Sequence, residues 1–171
     1  MKEQYELLLS GFHDVSVNDY IVGIDPGYAS MGVAVTQIVK RGRVNVIETI
    51  GFTNRVGDPI DRVKFMWAGL EVFMSSYEER IPRAHYVLEG LDYFGAKTKG
   101  SDMANIGFAV GYLAAAINRL NPLSIYVLQP RYIRRVFTGD ASAAKERTRA
   151  VAKTMYPSLK EGILLPDFQK K

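Results

Sequence analysis

The chain has 171 residues, 47% hydrophobic and 23% charged, with a formal net charge of +4; that suffices for one domain with a sizeable core, and no apolar run approaches the roughly 18 residues a membrane span needs. Cysteine is absent and histidine occurs only as His13 and His85, so disulfides and thiolate metal sites are excluded. Any metal site must then be mostly carboxylate, which suits Mg²⁺ or Mn²⁺ rather than zinc. The N-terminus lacks the charged, apolar and small-residue order of a signal peptide, and the missing cysteines fit a reducing compartment.

Residues 1–19 read as a short N-terminal extension without legible chemistry, and residues 20–171 as one domain. The first organised stretch is 20–35, with β-type runs at 21–24 and 33–35 around Asp25, Pro26, Gly27 and a turn of small residues ending at Gly32. Short β-branched runs bounded by Gly and Pro predict two strands joined as a hairpin. Asp25 falls at the end of what should be a buried central strand. A carboxylate buried alone is costly, so it is either matched by a cation, a metal or a set of hydrogen bonds, or it is an ordinary turn aspartate.

Arg43 to Thr53 alternates as a third strand. Asp58 can cap a helix with Pro59 at its first position. Val63, Met66, Trp67, Leu70, Val72, Phe73 and Tyr77 then keep helical spacing to about residue 80, with Trp67 expected in the core. Pro82 breaks this helix. Residues 84–88 predict a strand that runs into Glu89, a second carboxylate at a strand end. A loop with Lys97 and Lys99 leads to a helix over about 102–120, with Asp102 as its expected cap and Asp92 as a loop residue. Residues 103–117 are apolar nearly all round, so this helix must be covered on two sides. One side can be the sheet; the other is either a second subunit or the rest of the same chain. Gly107 and Gly111, one turn apart, would permit close helix approach.

Residues 123–128 predict a further strand, 130–137 a short basic helix, 138–142 a loop and 143–155 a last helix. The order β-β-β-α-β-α-β-α-α, a meander followed by helical crossovers, implies an α/β domain with a mixed sheet covered by helices. Charge is uneven along it. From Pro130 onward ten Lys or Arg face four acids, whereas the preceding part has 12 basic and 14 acidic residues. A basic C-terminal third points either to a polyanionic partner or to a solvated helix face.

Taken together, Asp25-Pro-Gly-Tyr-Ala-Ser-Met-Gly on the first strand, two further strands, a helix and a strand ending in Glu89 resemble the RuvC family of Holliday-junction resolvases, in the ribonuclease H-like superfamily. Residues 107–117 fall where that family has its apolar dimer helix. Residues 131–145, with Phe137-Thr-Gly-Asp-Ala-Ser-Ala-Ala-Lys145, fall on its basic segment and the following helix start. The resemblance covers roughly residues 20 to 166. It implies a ribonuclease H-like fold with a mixed five-stranded sheet, the first three strands an antiparallel meander, flanked by helices. It also implies a homodimeric, Mg²⁺- or Mn²⁺-dependent endonuclease acting on four-way or branched DNA, with two ions per site. Two cations held by carboxylates can orient the attacking and leaving oxygens of a phosphodiester. Asp25 would bridge the ions and Glu89 would bind one.

Arg134 and Lys145 best match family positions near the junction phosphates, with Arg131, Arg135, Lys97 and Lys99 as weaker candidates. Tyr93 and Phe94 sit where the family places an aromatic that stacks in the opened junction; one of the two is expected to pack into the core instead. The sequence departs from the family at its end. A last helix there brings in one or two further acids, but here the chain stops at Leu165-Pro-Asp-Phe-Gln-Lys-Lys, about where that helix should begin, with Asp167 as the only acid nearby. Two other readings stay open: a related protein that binds branched DNA without cutting it, and an actin-like or sugar-kinase-like ATP-binding domain. The latter opens with a similar Asp-x-Gly turn but needs a second lobe.

Overall fold

The computed structural model describes residues 15–40, 43–77, 84–91 and 100–156. Strands β1 (Tyr20–Pro26), β2 (Ser30–Lys40) and β3 (Arg43–Thr53) form the expected meander. Helix α1 (Pro59–Ser75), strand β4 (Ala84–Glu89), helix α2 (Gly100–Ile117), strand β5 (Ser124–Leu128) and helices α3 (Pro130–Thr138) and α4 (Lys145–Met155) follow. A 3-10 turn, Asn118–Leu120, closes α2. The sheet is five-stranded, in the order β3-β2-β1-β4-β5. β1 is antiparallel to β2 and parallel to β4, and β4 is parallel to β5. The mixed sheet expected from the element order is therefore present.

Side chains alternate across a strand, which separates two faces with different work. Val22 and Ile24 of β1, Met31, Val33 and Val35 of β2 and Leu88 of β4 point to one face. There they join Val63, Met66, Trp67 and Leu70 of α1 and Leu113 and Ile117 of α2 in a single buried cluster. Trp67 is core, as its spacing predicts. Intervening residues point to the other face: Gly23 and Asp25 on β1, and His85, Val87 and Glu89 on β4. The parallel register pairs Gly23 with Val87 and Ile24 with Leu88, so the next rung brings Asp25 alongside Glu89.

Several local expectations shift. Asp58 does cap α1, accepting from the Asp61 N–H at 2.9 Å. The helix ends at Ser75 rather than near residue 80, however, because Ser76 turns its hydroxyl back onto the Phe73 carbonyl at 2.6 Å. Val72 leaves the core stripe and is 74% exposed, since nine residues on from the buried Val63, at about 100° per residue, it lies on the opposite side of the helix. Helix α4 begins at Lys145 rather than at residue 143. Asp140 accepts from both the backbone N–H and the hydroxyl of Ser142, at 2.8 and 2.7 Å, and this local turn competes with helix over the preceding residues. Both donors hold the Asp140 carboxyl below its usual range. Among the described residues no helix is long and apolar enough to cross a membrane.

At the end of the sheet remote from Asp25, His85 is 1% exposed and bridges two elements. Its Nε2 lies 3.1 Å from Asp19 Oδ2, just before β1, and its Nδ1 lies 2.7 Å from the Ser124 hydroxyl at the start of β5. Because Asp19 accepts, Nε2 donates there, and Nδ1 is left to pair with Ser124. Removing this ring should leave both a cavity and stranded polar partners. His85→Ala should lower the unfolding free energy by about 2–4 kcal/mol in urea titrations; a loss under about 0.5 kcal/mol would mean that the bridge contributes nothing net.

Candidate active site

The carboxyl ends of the parallel strands β1 and β4 open into a cleft of about 710 Å³. Clefts at that edge are the usual ligand sites of open α/β sheets. Asp25 and Glu89 stand side by side at the cleft, on the rung after the Ile24–Leu88 pair. The expectation of a buried Asp25 is corrected: Asp25 is exposed, and Glu89 is the less accessible of the two. Strand β1 ends one residue later at Pro26 and turns outward, whereas Glu89 stays flanked by β5. Two carboxyl groups this close cannot both ionise freely. Burial, and then the charge of Asp25, push the Glu89 carboxyl up to about 7; Lys145 and Arg134 pull it down without prevailing.

The turn that carries Asp25 is tightly closed. Gly27 donates its N–H to the Ser30 carbonyl at 2.9 Å, and a Cβ on Gly27 would collide with that oxygen. Asn54, after β3, donates its N–H to the Ala29 carbonyl at 3.1 Å. Across the cleft stand Arg131 and Arg134 of α3 and Ser142 of the α3–α4 loop. Lys145, the first residue of α4, is exposed yet close enough to act on Glu89. Arg134 and Lys145 therefore act on Glu89 from different helices. Arg131 lines the same cleft, whereas Arg135 is exposed on α3 and is not among the lining residues. Tyr93, Phe94, Asp92, Lys97, Lys99 and Asp167 lie outside the described residues.

The cleft also holds residues that sequence reasoning missed. Tyr28, Leu91, Met103 and Ile106 form an apolar side to it. Asp102 is not the cap of α2 but lies within its first turn and accepts a hydrogen bond from the Tyr28 hydroxyl at 3.3 Å. The only advance signal was an aromatic residue in a turn otherwise made of small ones.

The donor set is compatible with a hard cation. It is all oxygen, and burial beside Asp25 raises the Glu89 carboxyl, a penalty that a divalent ion would relieve. Among the described residues no cluster of three or more His, Cys, Asp or Glu forms, and Asp25 and Glu89 are the described residues that would hold a cation.

Comparison with known families matches residues 21–162 to the family described as Crossover junction endodeoxyribonuclease RuvC. The chain belongs to this family. Among solved structures, RuvC of Thermus thermophilus is 20% identical with a TM-score of 0.61, over 81% of this chain and 80% of that one. T. thermophilus RuvC in complex with Holliday junction substrate is 19% identical with a TM-score of 0.63, over 80% and 79%. The yeast mitochondrial Holliday junction resolvase is 11% identical with a TM-score of 0.52, over 92% and 70%. Comparison with curated proteins found no match. The ribonuclease H-like fold expected from the RuvC resemblance is borne out by these structures.

The raised Glu89 carboxyl has a consequence for stability. A folded-state value near 7, against 4.5 unfolded, means the native state binds more protons between these limits. The associated stability is complete below about pH 4.5 and is lost as pH rises through 7. In metal-free buffer, Glu89→Gln should match the wild type near pH 4.5 and exceed it by on the order of 1–3 kcal/mol at pH 8. Denaturant titrations across pH check this; a pH-independent difference would mean that burial and Asp25 do not raise the Glu89 carboxyl.

Proposed function

We propose that this RuvC-family protein is a structure-selective endonuclease that hydrolyses phosphodiester bonds at four-way or branched DNA junctions, using divalent cations, Mg²⁺ or Mn²⁺, held by Asp25 and Glu89. The observation that carries this reading is the adjacency of Asp25 and Glu89 on neighbouring strand ends, in a cleft that Arg134 also lines and with Lys145 close enough to act on Glu89. When bound, two such cations supply charge that activates water and neutralises the departing oxygen. The chain's own residues do the rest. Asp25 and Glu89 keep a fixed spacing because neighbouring strand ends carry them. Arg134 and Lys145 draw the phosphate toward them, with Arg131 and Arg135 as secondary phosphate contacts. Asp167 is a candidate further ligand, and Tyr93 or Phe94 a candidate stacking residue, on the family resemblance.

The same proposal includes a homodimer, because a four-way junction needs paired nicks and a two-fold dimer presents two sites. The exposed side of α2 supports it: Ala104, Phe108, Gly111 and Ala115 follow one another along the helix, all exposed. Nothing within 4 Å would meet a Cβ at Gly111. A second reading, junction binding without cutting, needs only the cations at the cleft, Arg131, Arg134 and Lys145.

Two experiments decide. Asp25→Asn should abolish Mg²⁺-dependent cutting of a four-way junction while leaving binding equal or tighter, since it removes an anion from a phosphate site. Lys145→Ala should weaken junction and duplex together. A wild type that binds junctions but never nicks them with Mg²⁺ or Mn²⁺ supports the second reading. Gly111→Leu has room within its own chain, so it should retain the fold and shift sedimentation toward monomer, as overpacking a contact typically costs ~1–3 kcal/mol. A wild type that is monomeric at high micromolar concentration would rule the dimer out.

A further inference from the structure

Tyr28 is the one large side chain in a turn otherwise made of proline, glycine, alanine and serine. Its ring packs against the edge of the apolar core and lines the cleft beside Asp25. Its hydroxyl reaches Asp102, 74 residues further along the chain, at 3.3 Å. The residue after Asp102, Met103, lines the same side of the cleft, as does Ile106 one turn on. The turn's backbone is tied independently, through Gly27 to Ser30 and through Asn54 to Ala29. Ring and backbone are therefore both fixed relative to the two acids.

This side of the cleft offers little to a phosphate. Tyr28, Leu91, Met103 and Ile106 present an aromatic ring and hydrocarbon, while Arg131 and Arg134 stand on α3. A nucleotide divides in the same way, into an anionic phosphate and a flat, largely apolar base. A phosphate held between the acids and the α3 cations leaves its neighbouring base against the apolar side. Bases stack on aromatic rings without regard to sequence, but only once they have left the duplex stack.

We propose that Tyr28 contacts substrate, as the platform for an unstacked base next to the scissile phosphate, and that Asp102 is a positioning residue that locks the ring through its hydroxyl. The proposal rests on the nuclease reading of the cleft. An acid in the first turn of a helix also stabilises that helix by itself, but such an effect would not depend on the Tyr28 hydroxyl.

The test uses the full chain and a four-way junction carrying 5-iodouridine, placed in turn at each position around the branch point. Irradiation of the wild-type complex in Ca²⁺ should cross-link Tyr28, identified by peptide mass. Tyr28→Leu keeps an apolar contact with the core but removes the aromatic face. It should raise the junction KM about ten- to a hundredfold, with duplex binding and melting temperature close to wild type. Tyr28→Phe should retain cross-linking at position 28. Asp102→Ala should raise KM in the wild type and have no further effect in the Tyr28→Phe background, the mark of a coupled pair.

Cross-links that never fall on Tyr28 overturn the proposal, even if Tyr28→Leu fails to fold. A folded Tyr28→Leu with unchanged KM overturns it as well, and Asp102→Ala acting equally in both backgrounds overturns the lock. If the wild type binds junctions without cutting them, the nuclease reading fails and the cross-link still decides the platform. If it cuts and cross-links elsewhere, only the platform fails.

Discussion

Two carboxyl groups of like charge sit side by side because two parallel strands leave them no alternative. Asp25 and Glu89 belong to neighbouring strands, and the pairing of Ile24 with Leu88 one rung earlier determines that they meet. The proximity is unfavourable by itself, and it adds to burial in raising the Glu89 carboxyl. The apolar cluster on the opposite face of the same strands compensates, since Val22, Ile24 and Leu88 are buried there against α1 and α2. Strain at the strand ends is thus supported by packing a few ångströms away. Such local conflict between stability and chemistry is expected where a cation or substrate is to be received.

The cleft gathers its other components from elements that share little sequence proximity. The turn after β1 supplies Asp25 and Tyr28, the end of β4 supplies Glu89, α2 supplies an apolar side and α3 a cationic one. Lys145 arrives from the start of α4, where the turn at Asp140 ends and the helix begins. That turn shortens α4 and so determines which residue is first. Lys145 at this position works against the helix dipole, which favours acids in the first turn. Its neighbourhood with Glu89 gives it a partner of opposite charge when that carboxyl is ionised.

The framework was readable in the chain because it rests on period and punctuation. Alternation revealed the strands, Pro59 and Asp58 marked the start of α1, and Asp25 and Glu89 were conspicuous as carboxylates terminating apolar runs. What sequence pattern could not carry was anything dependent on distance across the fold. Asp102 looked like a helix cap because capping is local, whereas its partner Tyr28 is 74 residues away. Asp25 looked buried because its strand is central, but burial at a strand end depends on what passes over it. Val72 fitted a hydrophobic list and failed the angle, since it lies half a turn round the helix from Val63 and faces away from the sheet. The early stop of α1 at Ser75 goes with the Ser76 hydroxyl donating to the Phe73 carbonyl, a competition that periodicity does not register.

The imidazole bridge at the other end of the sheet bears on how the chain avoids folding incorrectly. His85 pairs in register with Ser124 and reaches Asp19 just ahead of β1, so a single ring reports on both neighbours of its strand. A slip of either neighbour by one residue would turn that strand's side chains to the opposite face. Ser124 or Asp19 would then move out of reach and leave a polar ring sealed away from water, which is expensive. A sheet with Asp25 and Glu89 on opposite sides is therefore penalised twice, once in its core and once at this histidine, about 13 Å along β4 from the acid whose position it protects. The bridge acts as an alignment key for the sheet, rejecting arrangements that would be compact yet inert.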